Sequence, residues 1–196
     1  MCMDRRMKEM KEKKWLSPRL ITVVGALLLL LMMILPFASA EKEYKERLKK
    51  YEDKYYVKEI EMTNGEAVNL SLVEFMRVYI HIAGEEGTDS TSGQIGILCV
   101  VLISMYGVFA LLTLVMALRR KPIGTILFNL LTMGVLWLIQ FDFRDRRMIP
   151  SNRYHGGIAY YLAYVVVVAI IVGAVWMFVE KRKAKKAMKE NQGEVV

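Results

Sequence analysis

Charged and uncharged positions divide this chain into alternating blocks. Four runs contain no Asp, Glu, Lys or Arg: residues 20–40, 95–118, 123–141 and 156–179. Each is about 19 to 24 residues long, enough for a helix rising 1.5 Å per residue to cross a hydrocarbon core of roughly 30 Å. A soluble core of this size rarely needs four such runs. The pattern predicts an all-α membrane protein, a four-transmembrane-helix bundle, with a small extracytoplasmic α/β cap between the first and second spans. Residues 119–122 alone join the second and third runs, so those two form an antiparallel hairpin.

The cap is expected in residues 41–94, the only segment outside the runs long enough to fold. In residues 41–55, Tyr44, Leu48, Tyr51 and Tyr55 recur at helical spacing. Glu41 with Lys45 and Glu46 with Lys50 add favourable i,i+4 pairs. A short charged helix with a narrow aromatic stripe follows, either a solvated extension of the first span or a docking stripe. Residues 57–63 and 66–72 partly alternate around Asn64-Gly65, which supplies the positive φ values of a type I′ turn and predicts a β-hairpin. Ser71 and Glu74 then read as a capping box, with Leu70 and Phe75 placed for a hydrophobic staple. Gly84 suits the C′ position. The helix between them keeps Glu74, Arg77 and His81 on one face and is otherwise apolar. It is too short to span, and is expected in the interface or across the bundle ends. Residues 84–93 have linker composition, and Asn69-Leu70-Ser71 matches a glycosylation acceptor that matters only in a eukaryotic host.

The net charge of +8 at pH 7 changes the picture through its placement. Arg5, Arg6, Lys8, Lys11, Lys13, Lys14 and Arg19 precede the first run. Arg119, Arg120 and Lys121 lie between the second and third, and Lys181, Arg182, Lys183, Lys185, Lys186 and Lys189 follow the fourth. Such clustering beside apolar runs argues against a nucleic-acid partner. It places the basic tails, residues 1–19 and 180–196, and the loop 119–122 in the cytoplasm of a cell-membrane protein, against an anionic inner leaflet. Residues 41–94 and 142–155 then face outward. The last tail is expected to anchor and orient the chain without a sequence-specific partner. The first run also carries a signal-peptide pattern: Pro36 breaks it and Ala38-Ser39-Ala40 supplies small-x-small before Glu41. Residues 20–40 are thus a first span or a cleaved leader; the outward placement of residues 41–94 survives either outcome.

Chemistry is sparse. No ionised residue interrupts a run, which weighs against a pump, an antiporter or a voltage sensor. Thr125, Asn129 and Thr132 share one face of the third run, where hydrogen bonds to a neighbouring helix account for them. Ala169 with Gly173 and Gly107 with Ala110 are small-residue pairs suited to close helix packing or a dimer face. Tyr160, Tyr161 and Tyr164 suit an aromatic belt. Residues 142–155 group Asp142, Arg144, Asp145, Arg146, Arg147, Arg153 and His155, a mixed patch expected to pair internally and with headgroups. Cys2 falls in the basic tail and Cys99 inside the second run, so no disulfide is expected, and there is no CxxC, HExxH, nucleophile elbow or phosphate loop. With only His81 and His155, a histidine-rich metal site is not expected. No catalytic, cofactor-binding or metal-binding residue is assigned, and no cofactor.

In layout the chain resembles the claudin-like tetraspans: four spans, inner termini and a long first outer loop of strand and helix character. That family carries Trp-Gly-Leu-Trp and two cysteines in the loop, whereas residues 41–94 hold neither Trp nor Cys, so no residue is carried across. Small four-span bacterial proteins of unknown role are at least as similar. The expected function is a non-enzymatic integral membrane protein whose outer cap engages a membrane-protein partner or a second copy, as an accessory or complex subunit. A small transporter or channel component and a ligand sensor are the alternatives.

Overall fold

The structure is a computed structural model and describes residues 18–193. The described residues open with helix α1 (Pro18–Leu31). Strand β1 (Pro36–Ala40), helix α2 (Lys42–Lys50) and strand β2 (Tyr55–Val57) follow, then a 3-10 turn (Lys58–Ile60), β3 (Met62–Thr63), α3 (Asn64–Ala67) and β4 (Asn69–Ser71). The remainder is α4 (Leu72–Glu86), α5 (Thr91–Leu118), α6 (Pro122–Asp145), β5 (Tyr154–Gly156) and α7 (Ile158–Gly193). The protein is mostly helical. Among the described residues, α5, α6 and α7 are the three helices long and apolar enough to cross a membrane, while α1 is apolar but shorter. Much of the expected basic N-terminal tail, with Cys2, lies outside the described residues.

The first apolar run is not one long helix. After Leu31 the chain turns, and Pro36, which disfavours helix in the residue before it, opens an extended segment. This segment, β1, is the central strand of an antiparallel sheet of order β4-β1-β5. Ala38 sits opposite Leu70 on one side and Gly156 on the other. Phe37, Ala38 and Ala40 are buried there. Termination leaves the Leu29 carbonyl without its helical partner, because the Met33 N–H donates to Leu30 instead. The buried Tyr106 hydroxyl of α5 donates to that carbonyl at 3.1 Å. A buried carbonyl is thereby satisfied where the helix stops.

The hairpin expected around Asn64-Gly65 is absent, and this is a correction. β2 and β3 do pair, but their turn lies at residues 58–61, with Glu61 in the left-handed region at φ 53°. Thr63 instead caps α3: its Oγ1 accepts from the Glu66 N–H and its own N–H donates to Glu66 Oε2. This Thr-x-x-Glu capping box satisfies two helix-end donors locally. The second expected strand survives only as β4, which gains a three-stranded sheet in place of an isolated two-stranded hairpin. Gly65 therefore needs no positive φ; among the described glycines Gly87, at φ 67°, has one.

Other boundaries moved less. The Ser71/Glu74 capping box starts α4 as expected. The helix passes Gly84 and ends at Gly87, with His81 and Glu85 paired at 3.3 Å across the added turn. α2 stops at Lys50, so Tyr51 and Tyr55 lie beyond it. α6 runs four residues into the expected loop, where Asp142 pairs with Arg146 one turn on.

Close backbone approaches fix the packing. α4 lies along α5, and a Cβ on Gly96 would meet the Tyr79 carbonyl oxygen at 2.9 Å. A Cβ on Gly173 would sit 3.0–3.2 Å from Thr22, Ile21 and Pro18, so the small residue of α7 faces α1 within the chain. Small residues at such crossings let helices gain dispersion contact without a hydrophobic driving force in lipid. The buried polar stripe of α6 makes its hydrogen bonds inside the bundle, and the buried Asn129 Oδ1 has no partner among the described residues. Asn129 donates to the Val167 carbonyl of α7 at 3.0 Å, while Thr125 and Thr132 bond carbonyls of their own helix.

Candidate functional site

The sheet end of the bundle gathers the side chains with most chemical character. Phe37 of β1, Phe75 and Tyr79 of α4, Phe143 of α6 and Tyr160 of α7 form one aromatic group, with centroid separations of 4.9 to 6.5 Å. Tilted and edge contacts of this kind add about 0.5–1.5 kcal/mol per pair beyond burial. Four elements are locked together in this way, which gives the sheet a firm base.

A second group lies above it. Tyr44 of α2 meets Tyr154 of β5 edge-on at 5.5 Å, and the Tyr44 and Tyr56 hydroxyls are 3.4 Å apart. The buried Tyr154 hydroxyl donates to the Ala67 carbonyl at 2.8 Å. Burial, reinforced by the Tyr56 hydroxyl, pushes the Tyr44 phenol up to about 12. Tyr154 is raised for the same first reason, with Tyr56 and Tyr44 adding to it. Burial also raises Tyr79, whose hydroxyl donates to Met148 Sδ at 3.1 Å. These phenols are neutral hydrogen-bond donors at physiological pH.

Between the two groups is a cavity of about 140 Å³, lined by Met62, Leu70, Phe75, Tyr79, Ile82 and Tyr154 among others. Its size is close to that of apolar cavities of roughly 150 Å³ that stay dry and admit a benzene-sized guest.

The charged residues of 142–155 do not assemble into one site. Asp142 accepts from Arg146 and, at 3.5 Å, from the Cys99 thiol. His155 faces Glu41 at 3.3 Å, and Arg153 lies over the Tyr44 ring at 5.7 Å. The patch thus divides between the end of α6 and the start of α2. Among the described residues no group of three or more His, Cys, Asp and Glu is placed to hold a metal ion. Cys99 is a free, buried cysteine.

Helical spacing found Tyr44 but neither of its partners. Tyr56 sits on a strand, and Tyr154 comes from nearly the other end of the chain. Only the Tyr55-Tyr56 doublet, whose members point to opposite faces of an extended chain, was a signal for the first of them.

The fold and this site define a mostly helical protein with three helices able to cross a membrane and a small sheet at one end. No protein-family model, curated protein or solved structure matches the chain. The likeness to claudin-like tetraspans therefore rests on layout alone.

Proposed function

We propose that this is a four-span, non-enzymatic protein of the cell membrane. In this reading its sheet end faces outward and engages a protein partner, as an accessory or complex subunit. The carrying observation is the exposed tyrosine set around β2: Tyr51, Tyr55 and Tyr56 are 49%, 56% and 37% exposed, on a unit whose base is otherwise locked. Tyrosine supplies large, stiff contact area with a polar tip and is enriched at interfaces. Lys50 and Lys54 flank the Tyr51 ring at 5.7 and 4.7 Å, so the surface is aromatic with a cationic rim.

The first crossing is made in two pieces. α1 supplies roughly 21 Å at 1.5 Å per residue, and the extended stretch through β1 completes it. Extended backbone at membrane depth is tolerable when protein satisfies its polar groups, and β1 is hydrogen-bonded on both edges. The same pairing favours retention of residues 20–40 over cleavage after Ala40, since cleavage would remove the central strand. The basic tails hold the orientation against the anionic leaflet. The hydrogen bond from Asn129 to the Val167 carbonyl of α7 supports a packed bundle over a transport path.

Two experiments test this reading. Cysteines placed at Ser90 and Ser151, in a Cys2→Ser background, should react with an impermeant thiol reagent on intact cells, while one at Gln192 should not. The reverse pattern would overturn the orientation and the outward cap together. Tyr51→Ala with Tyr55→Ala should abolish co-purification of a partner in mild detergent while membrane insertion is unchanged. A partner retained in full by that variant would remove the interaction surface from the proposal.

A further inference from the structure

At the end remote from the sheet, basic side chains from separate parts of the chain converge. Arg19 lies in the first turn of α1, Arg119, Arg120 and Lys121 form the α5–α6 turn, and Lys181, Arg182 and Lys185 continue α7 past its apolar run. They border two adjoining clefts of about 460 and 250 Å³, which share Pro122 and Lys181. The larger has an apolar wall of Pro122, Ile123 and Phe178 beneath Lys121, Lys181, Arg182 and Lys185. Its size falls within the roughly 300–1,000 Å³ of small-molecule sites. The Arg182 guanidinium lies 4.5 Å from the Phe178 ring centroid, which fixes cation and wall together.

Among the described residues, none of these cations is in an ion pair; those that form lie elsewhere. Like charges gathered around a low-dielectric wall repel one another, and a ligand anion relieves that repulsion. The wall also runs onto the outer faces of the two helices: Ile123 is 69% exposed, and Val175 and Val179 are exposed as well. A soluble anion would use the cations and leave this surface bare. An anionic head with apolar chains uses both.

We infer that these clefts are a site for an anionic phospholipid. Its phosphate is held by Lys121, Lys181 and Lys185, and an acyl chain lies along Ile123 and the neighbouring face of α7. The inference rests on the membrane reading of α6 and α7 and goes beyond diffuse attraction of the basic tail. A diffuse field counts charges; a built cleft depends on where they are. Lys183 and Lys186 provide the contrast, because they lie in the same stretch of α7 and line neither cleft.

The test uses the full chain in nanodiscs of phosphatidylcholine containing phosphatidylglycerol, with retained lipid counted by native mass spectrometry. Lys181→Gln with Lys185→Gln should weaken phosphatidylglycerol retention about tenfold. The charge-matched pair Lys183→Gln with Lys186→Gln should change it less than twofold. Lys181→Arg with Lys185→Arg, which keeps the charge, should retain the lipid and guards against a folding artefact. Equal losses in the two Gln pairs would reduce the site to diffuse electrostatics and overturn the inference. So would equal retention of phosphatidylcholine, or displacement of the lipid by soluble glycerol phosphate. Carbonate extraction of the protein from membranes would show separately that the spanning reading fails, and would overturn this inference with it.

Discussion

At the sheet end, β1 is hydrogen-bonded to β4 and β5, an aromatic group joins β1, α4, α6 and α7, and the Tyr154 hydroxyl reaches the Ala67 carbonyl. At the basic end, the helices meet through a short turn, and the Arg19 guanidinium donates to the Leu118 carbonyl at 3.3 Å across an exposed surface. The Asp142–Arg146 ion pair and the imidazole–carboxylate contacts His81–Glu85 and His155–Glu41 all belong to the former. The contrast shows how one bundle can divide its labour. Extended chain needs partners for every peptide group and is therefore built into a satisfied, packed unit. Helices satisfy their own backbone, so the opposite end is free to carry unpaired charge and open clefts.

The sheet end is most vulnerable at Gly157. Its N–H donates to the Phe37 carbonyl, and a Cβ there would sit 2.4 Å from the Pro36 carbonyl oxygen. The neighbour is backbone and cannot swing aside. Gly157→Val should therefore destabilise the protein by roughly 3 kcal/mol, the upper range for overpacking. A large fall in thermal midpoint in mild detergent should accompany new protease cuts in residues 41–57. An unchanged midpoint would mean that β1 does not hold this end together.

A smaller effect is expected at Ser71, whose hydroxyl accepts from the Glu74 N–H at 3.2 Å at the start of α4. Ser71→Ala should cost about 1 kcal/mol, the usual loss of an N-cap oxygen. Because Leu72 and Phe75 follow directly and are buried, the loosening should register as faster amide exchange through the first turn of α4. Exchange unchanged there would assign the helix start to packing alone.

That cap was legible in the sequence because both partners lie within four residues. The α5–α6 hairpin was legible for the same reason: a four-residue joint leaves one arrangement. β1 was not. Its residues lie inside an apolar run, and both its partners come far later in the chain than Ala38, Leu70 by about 30 residues and Gly156 by more than a hundred. Nothing local distinguishes Phe37-Ala38-Ser39-Ala40 from the end of a span except the proline before it. The hairpin at Asn64-Gly65 failed through a competition that could have been weighed, since Thr63 and Glu66 spell a capping box across the same residues. At the candidate site, Tyr44 was visible on its stripe, but Tyr154 joins it only through the sheet. At the basic end the charges were countable, while their meeting around an apolar wall depends on α1, α6 and α7 arriving side by side.

The smallest stability effect belongs to that end. Lys181 and Lys185 border a cleft, form no ion pair among the described residues and support no backbone group there. Exposed substitutions of this kind usually stay within about 0.5 kcal/mol. Lys181→Gln with Lys185→Gln should thus leave the thermal midpoint in detergent almost where it was, and the protease resistance of the sheet end unaltered, even as phosphatidylglycerol retention falls tenfold. Gly157→Val has the opposite signature, a large loss of midpoint without a selective loss of lipid per folded molecule. If the lysine pair lowered the midpoint as much as Ser71→Ala does, the basic end would be carrying structural load. The division between a satisfied end and an open one would then be wrong.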